Sequence, residues 1–226
     1  FVQTSKQCGT CIKGARMNPP SIDSVIGHFD AALRTLAGIT RTDRPNPAES
    51  IEPCDLTDSE KKQAGRLMRV NHCGEVCAQA LYIGQGLASD NEAVKEAMKQ
   101  AAQEESDHLA WCEDRLEELD THTSYLNPLF FALSFAGGAV TGLISDRVNL
   151  GLVAATEEQV IKHLDSHIDR LPESDDQSRA ILEQMRVDEV KHRTTALDEG
   201  GVEFPEPVKK MMTLVSKTRT RSTYWV

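Results

Sequence analysis

Six residues combine the types and spacing that hold metal ions: Glu75, Glu105 with His108, Glu157, and Glu189 with His192. A Glu and a His three positions apart project from one helix face a turn apart, so both reach one ion while the carboxylate bridges to a second. The arrangement is duplicated, a lone Glu preceding a Glu-x-x-His pair twice over nearly equal intervals. Carboxylate and imidazole ligation with no thiolate required favours iron or manganese over zinc. The expected cofactor is two iron ions in a di-iron carboxylate centre.

The motif alone is weak, because a chain of this composition supplies about 0.6 Glu-x-x-His pairs by chance. The helix face carries more weight. Val94, Met98, Ala101, Glu105, His108, Cys112 and Leu116 follow the three-and-four spacing of a buried stripe, and Leu182, Met185, Glu189, His192 and Ala196 repeat it. Glu157 lines up with Leu150, Val153, Val160, Leu164 and Ile168, and Glu75 with Ala64, Met68, Asn71, Ala78 and Tyr82. Four carboxylates in one helical core are strongly disfavoured unless cations compensate them. For any single one of the six, a solvated or hydrogen-bonded structural role is the plainer reading; six on stripes in duplicated order point to metal. Of the other histidines, His28, His72, His122 and His167 read as surface or structural. His163, a third of a turn off the Glu157 stripe, reads as a residue that orients a ligand from behind. Cys73 and Cys77 turn away from Glu75 and read as small core residues.

Such stripes need long helices, and a hydrophobic content of 39% with 27% charged and 5% aromatic residues suits an all-α chain. Four core helices are expected at about 57–86, 90–120, 146–171 and 174–198, forming a four-helix bundle with additional hydrophobic helices. Thr57-Asp-Ser-Glu60 and Ser89-Asp-Asn-Glu92 have the form of capping boxes, and Asn127-Pro128 that of a cap followed by Pro at the first helical position. Gly200-Gly201 and Pro205 stop the last core helix. A short amphipathic helix, Ser21 to Ala37, precedes a Pro-containing linker. With 226 residues, a single domain over 21–226 is expected, residues 1–20 being a disordered or non-native extension. Cys8-Gly-Thr-Cys11 stands there as an isolated half-site with no second CxxC. Six cysteines without a disulfide framework suit a reducing compartment, and a net charge of -10 argues against nucleic acid as a partner.

Between the hairpins lies an uncharged stretch of 17 residues, 128–144, at the lower limit for spanning a bilayer. A single span would separate the two hairpins across the membrane, so a surface helix that dips into lipid or meets a lipophilic substrate is expected. The segment from Val208, with Lys209, Lys210, Lys217, Arg219, Arg221 and a terminal Tyr224-Trp225, reads as an interfacial anchor.

Arg69-Val-Asn-His-Cys-Gly-Glu75 with Gln79-Ala-Leu-Tyr82, Glu104-Glu-Ser-Asp-His108, Glu157-Glu158 with His163, and Asp188-Glu-Val-Lys-His192 resemble, in order and spacing, the demethoxyubiquinone hydroxylases (Coq7 or Clk-1 proteins) of ubiquinone biosynthesis. The resemblance covers roughly residues 22 to 226. It implies a ferritin-like fold, a non-haem di-iron centre, and oxygen-dependent hydroxylation of 3-demethoxyubiquinol with NADH as reductant. It also implies peripheral attachment to a membrane and the site assignment: Glu75, Glu105 and His108 on one iron, Glu157, Glu189 and His192 on the other, Glu105 and Glu189 bridging. Cys73 and Cys77 depart from the small Ala and Gly usual there. The partners expected are a lipophilic quinol, O2 and proteins that hand over the quinone, with the prenyl tail lying along residues 128–144. The bacterial inner membrane, cytoplasmic side, is the expected location, since residues 1–16 form no Arg-rich amphipathic presequence. Competing readings are a ferritin-like iron-storage or ferroxidase protein and a metal-free, membrane-associated helical scaffold.

Overall fold

The computed structural model describes residues 22–39, 42–89 and 91–226, so the extension with Cys8 and Cys11 lies outside the described residues. Among the described residues there are seven helices and no strand: α1 (Ile22–Ala37), α2 (Asp58–Ala88), α3 (Glu92–Glu118), α4 (Asn127–Ile144), α5 (Asp146–Ile168), α6 (Asp176–Asp198) and α7 (Glu206–Thr223). α2 packs on α3 and α5 on α6, each pair joined by a short loop and therefore antiparallel.

The starts of α2, α5 and α6 are capped by side-chain oxygens of Thr57, Ser145 and Asp175 that accept backbone N–H groups. Thr57 makes both bonds of its capping box, Glu60 donating its N–H to Oγ1 at 3.4 Å and its carboxylate accepting the Thr57 N–H at 2.8 Å. The second expected box is different. Ser89 ends α2 and accepts the Asn91 N–H at 3.1 Å. Asn127 is likewise already helical, with Leu126 as the N-cap residue and no side-chain cap bond. The last core helix begins at Asp176, two residues later than expected, because the Asp175 carboxylate accepts the Ser178 N–H at 3.0 Å. The same Oδ1 accepts from Arg115 at 2.8 Å, and Arg115 also donates to Ser178 and Gln177. This buried junction locks α3 to the start of α6, the two helices that carry Glu-x-x-His.

Two apolar clusters fill the bundle. Leu67, Met68, Trp111, Cys112, Leu164, Leu182 and Met185 pack at one end, and Ala78, Tyr82, Met98, Leu150, Val153 and Ala196 at the other. On each of the four helices the expected metal-binding residues fall between these clusters in register, which confines them to a polar middle layer.

α2 differs from the expected one-sided helix. Residues are buried around most of its circumference, because α3 and the second hairpin cover one side while α4 and α7 cover others. The contact with α4 is backbone to backbone. A Cβ on Gly84 would lie 2.3 Å from the Phe135 carbonyl oxygen, and one on Gly138 would lie 2.3 Å from that of Leu81. α4 is the one helix among the described residues long and apolar enough to cross a membrane, yet only 17% of it is buried. It is no core helix: Leu129, Leu133, Val140, Leu143 and Ile144 point outward. α1 also turns Ile22, Ile26, Phe29 and Leu33 outward and packs through Ala31 and Ala32.

The basic tail is less of a surface feature than its composition suggests. Arg219 turns inward, its Nη1 buried at Gly74, and Tyr224 packs against the bundle core. Met211, Leu214 and Val215 of α7 remain exposed.

Candidate metal centre

Glu75 of α2, Glu105 and His108 of α3, and Glu189 of α6 are buried together, and each offers a ligand atom within 4.8 Å of the others. His108 Nδ1 faces Glu75 at 3.5 Å, Glu105 at 3.3 Å and Glu189 at 3.2 Å. His192 Nδ1 faces Glu189 at 3.2 Å and Glu105 at 3.4 Å. Glu105 and Glu189 are thus the two carboxylates that touch both imidazoles. Glu157 of α5 is buried beside them, with Oε1 accepting from the Tyr82 hydroxyl at 2.6 Å. Its neighbour Glu158 lies outside, paired with Lys162 and Lys209.

Each imidazole has its other nitrogen committed. His108 Nε2 meets Asp188 at 2.9 Å and His192 Nε2 meets Glu104 at 3.0 Å. An Nε2–H donated to an outer carboxylate fixes the tautomer and leaves Nδ1 free to ligate. Glu104 and Asp188 immediately precede the two shared carboxylates, and this doubling of acids, Glu104-Glu105 and Asp188-Glu189, was the sequence signal for them. His163 does not take that orienting place: its Nε2 lies 3.5 Å from Ser216 of α7 and its ring stacks on His167. His167 and His72 are structural, meeting Asn71 at 2.7 Å and Asn127 at 3.4 Å.

Glu105 Oε1 and Oε2, Glu157 Oε2, Glu189 Oε1 and His108 Nδ1 are all buried without a hydrogen-bond partner. Buried orphan donors and acceptors are rare and costly, and here they converge. The set fits divalent or trivalent cations, which would satisfy these atoms and neutralise the carboxylates.

Without cations the cluster is held by protons. Burial and the Glu105 charge push Glu75 well above the ordinary carboxylate range, and burial with Glu189 and Glu105 does the same to Glu157. Burial works against ionisation of Glu105 too, but its neighbours Glu75, His108 and His192 outweigh burial and hold Glu105 well below the ordinary carboxylate range. Burial also opposes charge on both histidines, yet the surrounding carboxylates raise them well above their usual value. His192 and Lys191 hold Glu104 down at about 2. All four shifts favour the protonated forms of Glu75, Glu157, His108 and His192, so a metal must displace protons to bind. Loading is expected to release protons, and affinity to fall as pH is lowered, because acid favours the protonated form. Calorimetric metal titrations in buffers of different ionisation enthalpy measure this; loading without proton release would contradict the arrangement.

Helices that bring paired carboxylates and histidines to a shared centre define the class: an all-α, ferritin-like bundle whose core can hold metal. The family model described as ubiquinone biosynthesis protein COQ7 matches residues 62–223. The 3-demethoxyubiquinol 3-hydroxylase of Ectopseudomonas mendocina is 57% identical over 204 residues, covering 90% of this chain and 95% of that protein. The proteins of the same name from Azotobacter vinelandii and Chromohalobacter salexigens are 57% and 53% identical over 203 residues, covering 89% of this chain and 94% and 95% of theirs. The chain belongs to the COQ7 family.

Proposed function

We propose that this chain is a di-iron 3-demethoxyubiquinol 3-hydroxylase, a single ferritin-like domain over residues 21–226. The observation that carries the reading is the buried cluster of unpartnered carboxylate and imidazole atoms in a chain so similar to proteins of that name. Glu75, Glu105 and His108 would hold one iron and Glu157, Glu189 and His192 the other, with Glu105 and Glu189 shared. Irons held there would supply the activation of O2, one oxygen atom going to the ring and the other to water, with NADH as the source of the two electrons.

The chain's own contribution is to position the ring, exclude water and hold the ligands. A cleft of about 210 Å³ bounded by α2, α3, α5 and α6 has an apolar floor of Tyr82, Met98, Leu150, Val153 and Ala196, a rim that carries Glu104 and Lys191, and His192 in its wall. This cleft takes the ring. A second cavity of about 400 Å³ shares Tyr82 and Met98 and runs between α1, α2 and α3 past Ala31 and Ala102, offering room for the start of a prenyl tail. α4 lines neither. In this reading the tail leaves beside α1, past a rim that also carries Lys95 and Lys99, and a path along residues 128–144 is the alternative. Tyr82 stands between the cavities and holds Glu157 through its hydroxyl. The outward apolar residues of α1, α4 and α7 suit peripheral attachment to the cytoplasmic side of a bacterial inner membrane.

Complementation tests the reading. Expressed in a bacterial strain lacking the hydroxylation, the chain is expected to restore ubiquinone and clear accumulated demethoxyubiquinone. Well-expressed, iron-loaded protein that leaves demethoxyubiquinone unchanged would refute the substrate assignment.

A further inference from the structure

The outer carboxylates that orient the two histidines are held very differently. On the His192 side, Glu104 pairs with Lys191 at 3.0 Å, an exposed residue on the cavity rim. On the His108 side, Asp188 is held by Arg44 at 2.7 Å, a residue from the linker before α2 and 144 positions away in sequence. Arg44 also donates Nε to Asp107 at 2.6 Å, and Asp107 in turn accepts the Asp43 N–H at 2.8 Å. The guanidinium lies 4.9 Å from the centre of the Trp111 ring, and Trp111 lies 5.4 Å from the His108 ring. Arg44, Asp188, His108 and Trp111 thus form a closed circuit of contacts. Beyond it the linker is anchored by Ala48, which is buried in the core.

We infer that Arg44 is a positioning residue that straps the linker across the back of the centre and, through Asp188, fixes His108, making the His108 half the tighter and less accessible of two unequal metal positions. The His192 half, opening on the ring cavity, is the exchangeable one. A planar guanidinium suits this task because its fork reaches two carboxylates while its face covers an indole; a lysine ammonium can do only part of it. The inference rests on the cluster being a metal centre.

The test is titration of metal-free full-length protein with Co2+, followed by visible absorption, in wild type, Arg44→Ala, Arg44→Lys, Asp188→Asn and Arg44→Ala/Asp188→Asn. Two unequal binding steps are expected in wild type. Loss of an orienting partner typically weakens metal binding by about 10- to 100-fold, so Arg44→Ala is expected to weaken the tighter step by that factor and leave the weaker one in place. Arg44→Lys should recover part of the loss. Arg44→Ala should add little to Asp188→Asn, since both act through His108. Two unchanged steps in Arg44→Ala, even with a lowered melting temperature, would make the strap merely structural and overturn the inference. Fully additive losses would overturn the route through Asp188. Absence of Co2+ binding in wild type would instead sink the metal-centre reading itself.

Discussion

Glu105→Ala and Glu189→Ala are each expected to empty both metal positions and abolish hydroxylation, whereas Glu75→Ala and Glu157→Ala retain one ion. The difference follows from which groups each carboxylate touches. Glu105 reaches His108 at 3.3 Å with one oxygen and His192 at 3.4 Å with the other. Glu189 does the same at 3.2 Å to each. Removing either deletes a shared contact and leaves the remaining buried groups to be neutralised by protons. Glu75 approaches His108 and Glu157 is held by Tyr82, so loss of either is felt mainly on one side. Even changes one shell out cost about 10- to 100-fold in metal affinity, so loss of a shared ligand should exceed that range. Metal-to-protein ratios after purification and desalting, with turnover on the same samples, give the measurement. Equal iron contents in all four variants would contradict the division into shared and terminal carboxylates.

The second large effect concerns stability. Gly138→Ala and Gly84→Ala each drive a methyl group into backbone, 2.3 Å from the Leu81 and Phe135 carbonyl oxygens respectively. No side chain can move aside, so the helices must separate. Overpacking a tight contact costs about 1–3 kcal/mol, and a clash against backbone belongs at or above the top of that range. Gly137 is the internal control: a Cβ there meets nothing within 4 Å, and Gly137→Ala should gain about 0.5–1 kcal/mol from helix propensity. Chemical denaturation of the three variants at one pH decides the matter. If Gly138→Ala and Gly137→Ala unfold alike, the close crossing of α2 and α4 is wrong.

The helical layout and the placement of polar groups on buried stripes were legible in the sequence because periodicity reports which face of a helix is covered. Periodicity says nothing about a helix covered on several sides. Polar residues off the α2 stripe, Arg69, His72 and Gln79, look solvated in sequence, yet each is buried and paired with a residue of another segment. Glu104 and Asp188 showed in the sequence only as doubled acids, for a similar reason. One step off the stripe, each turns about 100° from the ligand face and reads as surface until the neighbouring helix is in place. Arg44 carried no local signal at all, since its partners come from α3 and α6. His163 shows the converse error, a sound angular argument defeated because α7 packs where the orienting group was sought. α1 inverted a familiar rule by packing through alanines and presenting its large aliphatic residues outward.

The crossed pairing of histidines and outer acids has a consequence for how the molecule comes together. Asp188 of the second hairpin secures His108 of the first, and Glu104 of the first secures His192 of the second. Each hairpin therefore supplies what the other lacks, as two copies do across the dyad of a symmetric dimer. Under the proposed assignment, neither hairpin alone would hold its histidine in place for an ion. A competent site appears only on mutual docking, so metal uptake during refolding should follow association of the hairpins rather than formation of their helices.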